Sequence, residues 1–128
     1  MSRYAFGKAV STSYEDTLER AVAALATEGF GVLTEIDVAA TLKKKLGKDM
    51  PPYKILGACN PQLAHRVIDM EPQIGTLLPC NVVIRVEGGQ TIVEMMDPAA
   101  VMSLVDDPGV APVANEVRER LMRVLGQL

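Results

Sequence analysis

Two adjacent glycines, Gly88 and Gly89, separate two apolar-rich runs, Cys80 to Glu87 and Gln90 to Met96. In the first run Val82, Ile84 and Val86 alternate with Val83, Arg85 and Glu87. A glycine pair reaches the positive φ values of a tight primed turn, whose twist matches that of paired strands. The two runs are therefore predicted to form an antiparallel hairpin. Any fold for this chain must accommodate that hairpin.

Other strands and helices arrange themselves around it. Tyr4 to Val10 reads as a strand, with Tyr4, Phe6 and Val10 on one face and Lys8 as the exception. Ser13 is placed as a helix N-cap, with Asp16 three residues on, and Leu18, Ala21, Val22 and Leu25 form an apolar stripe that ends at Gly29. Phe30 to Ile36 is a second predicted strand, with Phe30, Val32 and Ile36 pointing one way. Asp37 caps a short helix to Leu46 in which Val38, Leu42 and Leu46 share a side. Gly47 to Pro52 is a loop, and Tyr53 to Cys59 is a third strand. Asn60 and Pro61 open a helix through about Met70, because Asn caps well and Pro is tolerated at the first helical position. A loop with Pro72, Gly75 and Pro79 leads to the hairpin. Asp97-Pro98 starts a short helix to Val105, and a last helix runs from Val110 to about Leu125 with Val113, Val117 and Leu121 inward.

This order, β-α-β(4)-α with short inserted helices, predicts a single α+β domain over residues 1–128. A mostly antiparallel sheet packs against two main helices. The length, 128 residues, suits one core, and 48% apolar with 23% charged residues is the composition of a globular chain. A net charge of −3 and a pI near 5.1 argue against a nucleic-acid partner, which needs a basic face. Two cysteines are too few for a disulfide scaffold and fit a reducing compartment. With no signal-like start and no long apolar run, a cytoplasmic location away from membranes is expected.

One histidine excludes the zinc sites built on two or more imidazoles. The same scarcity directs attention to where the few soft side chains fall. If the third and fourth strands are antiparallel neighbours, Cys59 at the end of one lies beside Cys80 at the start of the other. His65 stands on the helix between them. A thiol just ahead of a helix N-terminus is expected to have a lowered pKa, so Cys59 is a candidate nucleophile, redox centre or soft ligand, with Cys80 as its resolving partner. Cysteine also serves commonly as a small apolar core residue, and that reading needs no chemistry. A closed zinc site would lack ligands, whereas copper could recruit Met95 or Met96. Five lysines less Asp49 give the stretch from Lys43 to Lys54 a charge of +4 and leave −7 elsewhere. Lys43, Lys44 and Lys45 could thus face an anion, or simply end a helix favourably. Asp106-Asp107 sits in a Pro-Gly turn and is explained by turn chemistry. No phosphate loop, nucleophile elbow or zinc-helix motif is present.

The stretch Tyr53-Lys-Ile-Leu-Gly-Ala-Cys-Asn-Pro-Gln-Leu-Ala-His65, followed by Ile74-Gly-Thr-Leu-Leu-Pro-Cys-Asn-Val-Val83, resembles the signature of the family known as domain of unknown function 302. The segment from Glu35 to Lys45 and the Met96-Asp-Pro turn are similar as well. The resemblance implies a compact prokaryotic domain of TATA-binding-protein-like architecture and a homodimer. It supplies no reaction, since fold alone carries no function. It does place Gly57, Cys59, Asn60, Pro61, Pro79, Cys80 and Asn81 in signature segments, so Cys59, Asn60, His65, Cys80 and Asn81 form the candidate thiol or ligand site. With no complete catalytic set, no cofactor is expected. The chain reads as a homodimeric module that binds a small ligand or a partner. A thiol-based redox or sulfur-handling protein is the alternative, and a soft-metal binder the next.

Overall fold

The computed structural model describes residues 2–128. Five strands, β1 (Ala5–Val10), β2 (Gly31–Asp37), β3 (Tyr53–Cys59), β4 (Cys80–Glu87) and β5 (Gln90–Met96), form one sheet in the order β1-β5-β4-β3-β2. Every ladder in it is antiparallel. The helices are α1 (Tyr14–Thr27), α2 (Val38–Leu46), α3 (Pro61–Met70), α4 (Pro98–Met102) and α5 (Val110–Gly126), and the fold is α+β. Gly88 and Gly89 join β4 to β5 with φ of 56° and 78°, the left-handed values a primed turn requires.

The helix starts follow from their caps. Ser13 Oγ accepts from Asp16 N at 3.1 Å, Asp37 Oδ1 from Ala40 N at 2.8 Å, and Asp97 Oδ1 from Ala99 N at 3.0 Å. Each satisfies an amide that the helix leaves without a partner. The end of α1 is equally well defined. Gly29 N donates to Ala26 O and Phe30 N to Leu25 O, a Schellman closure that turns Phe30 back onto Leu25 in the core.

Directly opposed residues of an antiparallel sheet share a face, so the register sorts the side chains. Leu56, Ala58, Cys80, Val82, Ile84, Val93 and Met95 form the inner face. Onto it α1 lays Ala21, Ala24 and Leu25, and α5 lays Leu121, Val124 and Leu125. A second buried cluster stands apart from the sheet. It gathers Leu63 and Val67 of α3, Ile74, Met102, and Val110, Val113 and Ala114 at the start of α5. Val117 packs against both clusters.

Several apolar expectations need correction. Val22 is 43% exposed, and the α1 stripe runs instead through Thr17, Ala21, Ala24 and Leu25. Thr17 tolerates full burial because its hydroxyl donates to Ser13 O at 2.6 Å. Ile36 does not point with Phe30 and Val32. The β2–β3 register slips between Val32 and Thr34, leaving Leu33 as an extra residue and moving Ile36 to the outer face. Tyr4 and Leu46 are also exposed rather than packed. The segment Pro72–Leu77 forms a 3-10 helix where a loop was expected, and α4 stops at Met102 rather than Val105.

Candidate functional site

The β3–β4 register sets Ala58 opposite Cys80, while Cys59 lies opposite Gly31 of β2. Ala58 and Cys80 therefore share the inner face, and Cys59 is the last residue of β3. Strand pairing brings the two cysteines to neighbouring backbone positions, and both border one cavity. Both are free thiols. Burial pushes both up, Cys80 to about 12 with a further contribution from nearby Cys59. The lowered pKa expected of Cys59 is thus not what the structure gives. Cys59 stands one position outside the helix cap, Pro61 offers no amide, and the Leu63 amide is already taken by Asn60. Desolvation by burial is the cause that raises the Cys59 thiol, and it disfavours the thiolate.

His65 does not join the cysteines either. Leu63 and Val67 fix the inward face of α3, and His65 falls on its opposite side, exposed and 3.4 Å from Asp69. Asn81 sits on the outer sheet face opposite Gly57 and is exposed. Lys43, Lys44 and Lys45 form the exposed last turn of α2, where Lys43 pairs with Asp49 at 2.9 Å. Among the described residues, no three His, Cys, Asp or Glu side chains form a metal-holding group.

Asn60 has a definite role, though a structural one. Its Oδ1 accepts from Leu63 N at 3.3 Å to cap α3, and its Nδ2 donates to the Glu28 carbonyl at 3.3 Å. That carbonyl also accepts from Arg120 Nη1 at 3.0 Å. The end of α1, the start of α3 and the middle of α5 are thus tied at one oxygen. The tie leaves no room for a side chain at position 29, because a Cβ there would lie 2.9 Å from Asn60 Nδ2. Gly57 is held to glycine similarly, since a Cβ would collide with Thr34 Oγ1 and approach Pro79.

Beside this tie, between the two buried clusters, lies an apolar slot. Strands β3 and β4 contribute Ala58, Cys59 and Cys80, α3 contributes Leu63, Ala64 and Val67, and α5 contributes Val113, Ala114 and Val117. Phe30, Asn60, Leu78, Pro79, Pro98 and Met102 complete it. The cavity is narrow, with a volume of about 40 Å³. Three alanines on three different elements, Ala58, Ala64 and Ala114, leave it open. No ionisable group other than the two thiols lines it, and Asn60 has both ends of its amide committed within the protein. Such a lining attracts an apolar group and offers little to orient a polar one. Of the sequence candidates, Cys59, Asn60 and Cys80 border the slot, while His65, Asn81 and the three lysines do not. Of the remaining lining residues, Ala58, Leu63, Ala64, Leu78, Pro79 and Pro98 fall in the signature segments, while Phe30, Val67, Met102, Val113, Ala114 and Val117 are ordinary apolar positions outside them.

An antiparallel sheet with its helical core on one face, and an apolar slot beside α3 and α5, defines an α+β domain with a candidate binding cleft. Residues 6–128 match the model of the family described as domain of unknown function DUF302, and the chain belongs to that family. It is similar to the crystal structure of an uncharacterized conserved DUF302 protein from Bacillus stearothermophilus, at 35% identity, covering 98% of each chain with a TM-score of 0.92. No curated protein matches the chain.

Proposed function

We propose that this protein is a homodimeric binding module that takes a small apolar ligand in the slot between its two buried clusters. The observation that carries this reading is the lining itself, an apolar surface drawn from β3, β4, α3 and α5 around a small cavity. Titration with a neutral probe, 1-hexanol, followed by methyl NMR tests it. Saturable shifts are expected at Val67, Val113 and Val117, and they are expected to vanish in Ala114→Leu, whose longer side chain fills the slot. Wild-type methyl signals that do not move would overturn the reading.

The homodimer draws support from the outer sheet face. Ile55, Val83 and Ile92 lie there half-buried and Ile36 exposed, while the larger buried cluster lies on the other side. Val83→Glu in the middle of that face is expected to shift the protein from dimer to monomer in sedimentation. A wild-type monomer at micromolar concentrations would refute the assembly and leave the slot untouched. The thiol alternative has less in its favour, since burial pushes both thiols up. Against the soft-metal alternative, no three His, Cys, Asp or Glu side chains gather among the described residues.

A further inference from the structure

Cys59 and Cys80 are the two ionisable groups of the slot, and the backbone sets them side by side. Cys80 opens β4 opposite Ala58, and Cys59 is the residue after Ala58. Directly opposed Cα atoms of an antiparallel pair lie about 4.5 or 5.5 Å apart, and a strand rises about 3.4 Å per residue. The two cysteine Cα atoms are therefore about 5.6–6.5 Å apart, inside the roughly 4.4–6.8 Å that disulfides span. In mid-strand such diagonal neighbours would point to opposite faces. Cys59, however, ends β3, where the chain leaves the ladder for the α3 cap, and it borders the slot together with Cys80. A charge on Cys59 also disfavours ionisation of Cys80, so the two sulfurs lie within each other's field. Both thiols are free.

We propose that Cys59 and Cys80 form a reversible internal disulfide when the protein meets a small aliphatic disulfide. Cys59 reacts first, because it is partly exposed while Cys80 is buried. Its thiolate attacks one sulfur of the small disulfide, whose S–S bond breaks and whose other half leaves as a thiolate and takes up a proton. Cys80 then gives up its proton and attacks the Cys59 sulfur, expelling the second small thiol. The protein is oxidised by loss of both thiol hydrogens, and the small disulfide is reduced to its thiols. Burial holds the two groups protonated, so both steps are slow, and a bond that records contact with an oxidant needs no turnover. The loop it closes carries α3 and the 3-10 segment, with Leu63, Val67 and Ile74 of the smaller cluster. The bond thus fastens that cluster to the sheet, whether or not the slot holds a ligand.

Incubation of the folded full chain with bis(2-hydroxyethyl) disulfide, followed by acid quenching and intact-mass measurement, tests this. The expected product is a chain about 2 Da lighter than the reduced one, with no bond between chains. Trypsin cuts after Arg66, so the bond is expected to join peptides 55–66 and 67–85. Cys80→Ala is expected to stop at the mixed disulfide on Cys59, and Cys59→Ala to react about tenfold more slowly than the wild type. In urea the oxidised wild type is expected to unfold at a higher midpoint than the reduced form, a difference that dithiothreitol removes. A folded wild type that accumulates the mixed disulfide, links Cys59 to another chain, or stays unmodified while the unfolded chain reacts overturns the proposal. An oxidised chain with a lower urea midpoint overturns it too, because the bond would then distort the native backbone.

Discussion

The two buried clusters are built on different terms. The larger one is held by four antiparallel ladders and by two helices laid along one sheet face, and Leu25, Leu56, Val82, Ile84, Val93, Leu121 and Val124 within it are wholly buried. The smaller one has no strand in it. It relies on α3, a 3-10 turn, α4 and the first turns of α5. A sheet fixes side-chain spacing through its backbone. Short helices meet only through side chains, and small residues on facing elements leave space between them. The slot lies at the boundary between these two modes of construction.

The sharpest way to break this contrast is to remove one leucine from each cluster. Leu56→Ala, in the closed core, is expected to cost about 3–5 kcal/mol, because little around it can relax. Leu63→Ala lines the slot and is expected to cost about 2–3 kcal/mol, near the lower end for such a change. Urea unfolding of both variants measures the difference, and equal losses would show that the two clusters are packed alike. Asn60→Ala removes a cap and one donor to the Glu28 carbonyl, and a loss of about 1–2 kcal/mol is expected. Hydrogen exchange should then report faster opening of the first turn of α3 while β4 and β5 keep their protection.

The Cys80 thiol gives a pH-dependent version of the same comparison. Its folded pKa of about 12 lies above its ordinary value near 9, so in that interval the unfolded chain releases a proton that the folded chain keeps. Stability contributed by the neutral thiol is present below pH 9 and declines as pH rises towards 12. Cys80→Val should flatten that alkaline decline, and a slope unchanged from wild type would mean the thiol is not desolvated as its burial indicates. The smallest effect is expected at the α2 terminus. Lys43→Gln replaces one member of an exposed pair and should move the urea midpoint within the error of measurement.

Much of the fold was legible from local chemistry. The Gly88-Gly89 turn, the Ser13, Asp37, Asn60 and Asp97 caps and the Gly29 stop are decided by residues close in sequence, and each lies where the sequence places it. What escaped depended on distance or on a single inserted residue. The slip at Leu33 reverses the alternation of β2 and has no compositional mark. The helical phase of α3 separates His65 from the cysteines, although spacing along the chain suggested proximity. The slot was invisible because its alanines and valines become a site only when distant elements leave a gap between them.

The place of β1 at the sheet edge has a consequence for how the chain assembles. Strands β2, β3, β4 and β5 pair with their neighbours in sequence, so this meander can form from comparatively local encounters. β1 pairs only with β5, and closing that ladder joins residues 81 to 91 positions apart. During synthesis from the N-terminus, the first strand made therefore waits for the last strand before it finds its partner. Until then its apolar positions, Phe6 and Val10, stay in solvent or rest against α1, and β1 is the strand expected to join the sheet latest.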